Sequence, residues 1–280
     1  MFMLSWNVRG LGDPKCRNDV KFLIQKFNPE VVILQETKSV AHSFASVMDM
    51  WGHGTVKFVG VDAIGASGGL WVMWDPLTLH CVDVLRTNRF LVVFFQGPNS
   101  EFSWGFVNFL SSLGDVLLSH NIHLCLGGDF NFILWLDDNS SIISLNSSMT
   151  IFNSFIECFQ LFYLPITGTK FTWSNNSVTN LVMSNLDRFM AIQKWMEAFP
   201  LTYVKALLRL SSDHIPLFFN MKLICSSKKP FRMNLGWLNE SEVVDLIKAT
   251  WENSITFGSM DFSATQKVTP HQEKFVSVEN

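Results

Sequence analysis

Asp129 and Asn131 close the run Gly127-Gly128-Asp129-Phe130-Asn131, directly after the apolar stretch Leu124-Cys125-Leu126. A carboxylate beside a carboxamide can orient a water molecule and take its proton. Other segments put comparable groups where an apolar run stops: Ser5-Trp6-Asn7, Leu34-Gln35-Glu36 and Ser211-Ser212-Asp213-His214. A further acid, Asp187, stands in Asn185-Leu186-Asp187-Arg188. Together these groups could hydrolyse a phosphodiester. Carboxylates and carboxamides suit a hard cation such as magnesium, which neutralises phosphoryl oxygens. An imidazole held by a carboxylate can meet the charge that develops on the phosphorane. Taken singly, each segment also fits a turn or a solvated strand end, and Asp187 beside Arg188 fits an exposed ion pair.

Strand ends on one edge of a sheet can converge on one cleft, so the carrying elements come next. Asp13-Pro14 starts a helix, as a capping residue followed by proline at the first helical position. Within Lys15 to Phe27, Val20, Leu23, Ile24 and Phe27 make its apolar stripe. Val31 to Leu34 reads as a buried strand that delivers Gln35-Glu36. Strand pairs are expected at Val56–Val61 with Leu70–Trp74 and at Val82–Arg86 with Phe90–Phe95. Phe102, Phe106, Phe109, Leu110, Leu113 and Leu117 suggest a second helix, and Phe152, Phe155, Ile156 and Phe159 a third. Late strands are expected over Phe171–Trp173, Leu186–Met190 and Ile215–Met221. Hairpin neighbours mixed with intervening helices predict an α/β fold of two mixed sheets packed face to face with helices outside.

Composition narrows the setting. The 280 residues are nearly half apolar, enough for a sizeable core, and no apolar run approaches the ~18 residues of a membrane span. No basic segment followed by a long apolar stretch precedes the first strand, so no secretory signal is expected. The five cysteines are scattered, which argues against a disulfide framework or a zinc site and for a reduced, intracellular setting. The net charge of −3 is not that of a generic nucleic-acid binder, but a bound cation would supply local positive charge. Residues 1–223 are expected to form the main domain, with a linker and helix over 224–257 and a disordered tail over 258–280. No feature suggests a protein partner, and a monomer is expected.

The ordered set of motifs resembles the endonuclease/exonuclease/phosphatase superfamily, whose DNase I-like fold is shared with apurinic/apyrimidinic endonucleases. It is most similar to the endonuclease domain of plant LINE-type (non-LTR) retrotransposons. The resemblance rests on Ser5 to Gly12, Leu34 to Lys38, Gly127 to Asn131, Phe171 to Asn175, Leu186 to Arg188 and Ser212 to Leu217, in that order. It covers about residues 1 to 235. It implies a four-layer α/β/β/α sandwich, Mg2+ as cofactor with Mn2+ as a substitute, DNA as substrate and nuclear residence. Glu36 would be the principal metal ligand with Asn7 beside it, and Asp213 a further one. Asp129 would orient or deprotonate the attacking water, with Asn131 helping to hold water and phosphate. His214 would contact the scissile phosphate, its tautomer fixed by Asp187. Trp173 would pack near nucleic acid, although core packing fits it equally.

Two features depart from the pattern. Gln96, in Phe94-Phe95-Gln96-Gly97-Pro98, takes the place expected for a phosphate-touching tyrosine, which predicts impaired activity. No Tyr-x-Asp-Asp segment of a reverse transcriptase is present, so a truncated element is expected. The alternatives are a phosphatase of the same fold and a remnant that folds but cuts nothing.

Overall fold

The computed structural model describes residues 1–39, 44–52, 54–65, 67–87, 90–96, 103–108, 123–141 and 147–221, with Asp245 and Lys248. The chain divides into two units, Met1–Ile224 and Cys225–Asn280, and every element below belongs to the first. The expected linker, helix and tail beyond residue 223 fall outside the described residues, those two positions excepted.

Two sheets dominate. The first has seven strands. Its centre pairs β1 (Phe2–Asn7) with β2 (Val31–Gln35) in parallel, and β1 also pairs antiparallel with β15 (Leu217–Asn220). β3 (Lys57–Ile64) and β4 (Ser67–Trp74) extend one side, and β10 (Ile166–Thr167) and β14 (Tyr203–Ala206) the other. The second sheet has six strands: β5 (His80–Arg86), β6 (Leu91–Gln96), β7 (Ser103–Asn108), β8 (His123–Asp129), β13 (Asp187–Ala191) and β9 (Phe162–Leu164), in that spatial order. A short ribbon, β11 (Trp173–Ser174) with β12 (Met183–Ser184), lies apart from both.

The central strands read as continuous apolar runs because both faces are covered. In β1 and β2, Met3, Val31 and Ile33 face the other sheet, where they meet Val93, Phe95, Cys125 and Phe189. The alternate residues Leu4, Trp6, Val32 and Leu34 turn outward onto α1 (Pro14–Phe27) and α2 (Phe44–Trp51), against Val20, Leu23, Ile24, Val47 and Trp51. On the other side Val92, Phe94, Leu124, Leu126 and Met190 pack under Phe152 of α3 (Ser147–Cys158). The result is helix, sheet, sheet, helix: the four-layer sandwich. Helix α1 starts as read, with the Asp13 carboxylate accepting from Lys15 N–H and Pro14 in the first turn. It ends at Asn28, whose left-handed backbone lets its N–H reach Ile24 O.

One expected element is corrected. The stripe from Phe102 to Leu117 does not begin a helix, because Ser103–Asn108 is strand β7. Gly105, Phe106 and Val107 are weak helix formers, and β6 and β8 supply hydrogen-bonding partners on both edges. Phe109, Leu110, Leu113 and Leu117 fall outside the described residues.

The sheets touch closely at Gly128. Its φ is +124°, and an added Cβ would lie 2.5 Å from the Gln35 carboxamide of the opposite sheet. Gly128→Ala is expected to cost about 2 to 4 kcal/mol, from backbone strain plus overpacking. Gly12→Ala, with nothing within 4 Å, is the control expected to change little. Urea midpoints for the two variants check this, and equal midpoints would contradict it.

Candidate active site

The inner rows of the central strands are largely apolar, Ser5 excepted, until they reach one rim, where each turns polar. Met3 and Ser5 lead to Asn7, Val31 and Ile33 to Gln35, and Cys125 to Asp129; Asp187 heads the row continued by Phe189 and Ala191. Register brings these ends together. Asn7 pairs with Gln35 in the first sheet and Asp187 with Asp129 in the second.

Asp129 joins the two. Its Oδ2 accepts from Asn7 Nδ2 at 2.9 Å, and its own N–H donates to Gln35 Oε1 at 2.6 Å. Its Oδ1 accepts from Asn131 N–H at 2.8 Å, a bond that holds Asn131 in a left-handed backbone. The Nδ1 of His214 lies 2.8 Å from Asp187 Oδ2, and its Nε2 lies 3.6 Å from Asp129 Oδ2. All three of these side chains are buried. A buried carboxylate is tolerable only when hydrogen-bonded, and Asp129 uses both oxygens.

Loop contacts fix the histidine from several sides. Trp6 Nε1 donates to His214 O, and the Ser212 hydroxyl donates to Asn7 O while accepting from His214 N–H. Thr172 Oγ1 accepts from the N–H groups of Leu186 and Asp187. Arg188 is not an exposed partner of Asp187. It is fully buried, and its Nη2 donates to Asp138 Oδ2 at 2.6 Å. Asp138 also accepts from Leu134 N–H, Trp135 N–H and Asn185 Nδ2, so the pair clamps the loop after Asn131 onto β13. Gln35, Thr172, Ser212 and Asp138 are the positioning residues that the sequence reading missed. All four are uncharged or far in sequence from the group they hold, and only the motifs around Gln35, Thr172 and Ser212 hinted at them.

Glu36 and Asp213 converge on Arg9. Its Nε lies 3.8 Å from Glu36 Oε2 and 3.5 Å from Asp213 Oδ1, and Arg9 N–H donates to Asn7 Oδ1 at 3.1 Å. Asp213 is steered by Trp173, whose Nε1 donates to Asp213 Oδ2 at 3.0 Å. Trp173 is therefore at the site, held by a carboxylate. Two carboxylates gathered about one positive group, with a carboxamide oxygen beside them, form an oxygen-only donor set that fits a hard divalent cation. Asp129, Asp187 and His214 also place ligand-type atoms within 4.8 Å of one another. There, however, the Asp187–His214 hydrogen bond already takes Nδ1, and His214 Nε2 faces Asp129 Oδ2 at 3.6 Å.

Gln96 is not brought to this rim. It ends β6 opposite Ser103, and the adjacent Trp104 pairs with His123 at the start of β8. Asp129 closes the far end of β8. Because β7 runs parallel to β8 and β6 antiparallel to both, the strand that runs toward the Asp129 edge is β7.

Residues 4–214 match the endonuclease/exonuclease/phosphatase family. The chain belongs to that family. Its members are hydrolytic nucleases and phosphatases that depend on divalent metal. Among solved structures, the chain is similar to the endonuclease domain of TRAS1, a telomere-specific non-LTR retrotransposon. Identity is 16%, coverage 80% of this chain and 99% of that one, and the TM-score 0.58. An AP endonuclease from Leishmania major shares 15% identity over 78% of this chain and 86% of its own, with a TM-score of 0.60. The 3′ phosphatase NExo from Neisseria, bound to a product DNA hairpin, shares 18% over 79% and 99%, with a TM-score of 0.57. These likenesses establish the fold. A comparison with curated protein sequences gave no match. Among the described residues, no helix is long and apolar enough to cross a membrane.

Burial, then repulsion from Asp187, push the Asp129 carboxyl up to about 6, against the pull of His214. Burial disfavours the imidazolium of His214, but Asp187, with Asp129 and Asp213 behind it, raises its pKa above the ordinary value. Between 3.8 and about 6 the folded protein keeps the Asp129 proton that the unfolded chain releases. Stability from this group is therefore greatest below 3.8 and falls as pH rises through about 6. Asp129→Asn is expected to remove the dependence. Urea unfolding of metal-free protein from about pH 4 to about pH 6 should show the wild-type-minus-variant stability falling steadily. A difference that stays flat or grows with pH would contradict burial as the dominant cause.

Proposed function

We propose that this protein is a Mg2+-dependent endonuclease that nicks DNA, of the kind carried by non-LTR retrotransposons. The observation that carries the reading is the Asp129 carboxylate, bound by Asn7 from the opposite sheet and faced by a histidine that Asp187 orients. Its raised pKa makes it a proton acceptor matched to near-neutral pH. Asp129 takes a proton from the attacking water as the water oxygen bonds to phosphorus. Asn7 and the Asn131 backbone N–H keep that carboxylate aimed, and the Asn131 side chain contacts water and phosphate. His214, in the imidazolium form that Asp187 favours, donates Nε2–H to the phosphoryl oxygens as charge builds on them. Asp187 fixes the tautomer through Nδ1. Glu36, Asp213 and Asn7 would hold Mg2+, which supplies charge neutralisation at the phosphate when bound. The bond from phosphorus to the 3′-oxygen breaks, the phosphate stays on the 5′ end, and the 3′-oxygen takes a proton from solvent to become a 3′-hydroxyl. DNA as substrate draws support from the TRAS1 endonuclease and from the DNA hairpin in the NExo structure.

The test is plasmid nicking. Purified protein with Mg2+ is expected to convert supercoiled plasmid to open circles, and chelation is expected to stop it. Asp129→Ala and His214→Ala should each lower the rate by at least about 100-fold, the usual weight of a positioned acid or base. Release of phosphate from 3′-phosphorylated DNA without nicking would favour the phosphatase reading. No turnover of either substrate would favour a non-catalytic remnant.

A further inference from the structure

Arg9 has two unusual features. Its backbone is left-handed, with φ of +56°, a conformation that favours glycine and strains an arginine. The cost is met where its N–H binds the Asn7 carboxamide oxygen. The same geometry sends the guanidinium between two carboxylates from different segments, Glu36 after β2 and Asp213 in the loop before β15. The guanidinium is about half exposed, with a side-chain accessibility of 49%, whereas Glu36 stands at 26% and Asp213 at 16%. The carboxylates are thus the more enclosed groups, and the arginine side chain is the one free to move outward. Glu36 sits at φ +48°, and the Asp213 carboxylate accepts from Trp173 Nε1. Lys38 Nζ stands 4.0 Å from Glu36 Oε2, a second cation on the outer side of that carboxylate alone.

We propose that Arg9 is a resident counter-cation that a divalent metal must displace from Glu36 and Asp213. This rests on the reading of those two carboxylates as the metal's ligands. In the metal-free protein the guanidinium offsets their repulsion and keeps them converged. A divalent ion carries twice the charge into the same oxygens, and the arginine, with no other carboxylate partner among the described residues, swings to the solvent side. Metal affinity is therefore set by an exchange of cations and not by the carboxylates alone. Arg9 acts as a positioning residue that holds the ligand pair before the metal arrives. An exposed pair contributes little and a doubly paired, half-buried one somewhat more, so the exchange is expected to weaken metal binding about three- to tenfold.

The test measures metal, without DNA and without turnover. Mn2+ binding to the full chain is followed by the electron paramagnetic resonance signal of the free ion. Wild-type protein is expected to bind Mn2+, and Arg9→Gln to bind it about three- to tenfold more tightly. Arg9→Lys, which keeps the charge, should stay near wild type. Metal-free Arg9→Gln should melt below the metal-free wild type, and saturating Mn2+ should close the gap. A merely structural defect would weaken Mn2+ binding and leave the gap open. Arg9→Gln that binds Mn2+ no more tightly than wild type, with an unchanged far-ultraviolet spectrum, overturns the role of Arg9 and leaves the metal site standing. Wild-type protein that binds no Mn2+, or binds it equally well as Glu36→Gln, overturns both.

Discussion

The hydrogen bond from Asn7 Nδ2 to Asp129 Oδ2, with the neighbouring bond from Asp129 N–H to Gln35 Oε1, ties the centre of the first sheet to the polar rim of the second. The sandwich is otherwise joined by apolar packing, which fixes distance but has little directional preference. Directional bonds at the rim add a preferred geometry to the join between the two sheets. Asn7, Gln35, Asp129 and Gly128 form that joint, and the close approach of Gly128 to Gln35 leaves no room for a side chain. The His214–Asp187 pair and the Asn131 loop then hang from Asp129 and its neighbour in register.

Strain gathers where the joint is. Arg9, Glu36, Lys38 and Asn131 all hold left-handed backbones without being glycine, and all lie in loops that leave the rim strands. Each such residue costs on the order of 1 to 3 kcal/mol. The surrounding bonds offset this: Arg9 and Asn131 N–H groups end on Asn7 and Asp129 side chains, and Thr37 and Lys38 N–H groups reach Gly69 and Gly68 carbonyls. A rim built this way presents its carboxylates in advance, so that less ordering would remain when a ligand arrives.

Much of this was legible in the sequence, and the exceptions have physical causes. Asp13-Pro14 and the spacing of Val20, Leu23 and Ile24 announce α1 because capping and periodicity are local. The polar ends of β1, β2 and β8 were legible because an apolar run that stops at Asn, Glu or Asp breaks its own pattern. Strand β7 was not legible. Phe102 and Phe106 recur at helical spacing in the sequence, whereas the strand partners β6 and β8 decide the outcome. The place of Gln96 was not legible for a related reason. Strand direction in a mixed sheet depends on pairing that no short motif records, and the end of β6 that carries Gln96 lies opposite the Asp129 edge. The Arg188–Asp138 pair escaped because its partners stand 50 residues apart, and the local neighbour Asp187 offered a simpler match.

The claim beneath all of this is that side chains from distant segments are coupled across the two sheets. A double-mutant cycle measures that coupling directly, with Asn7→Ala, Asp129→Ala and the double variant compared by urea unfolding near neutral pH. A hydrogen bond to a buried carboxylate is expected to give a coupling free energy of about 1.5 to 3 kcal/mol. Additive losses, with coupling indistinguishable from zero, would mean that Asn7 and Asp129 do not meet and that the rim is no common site.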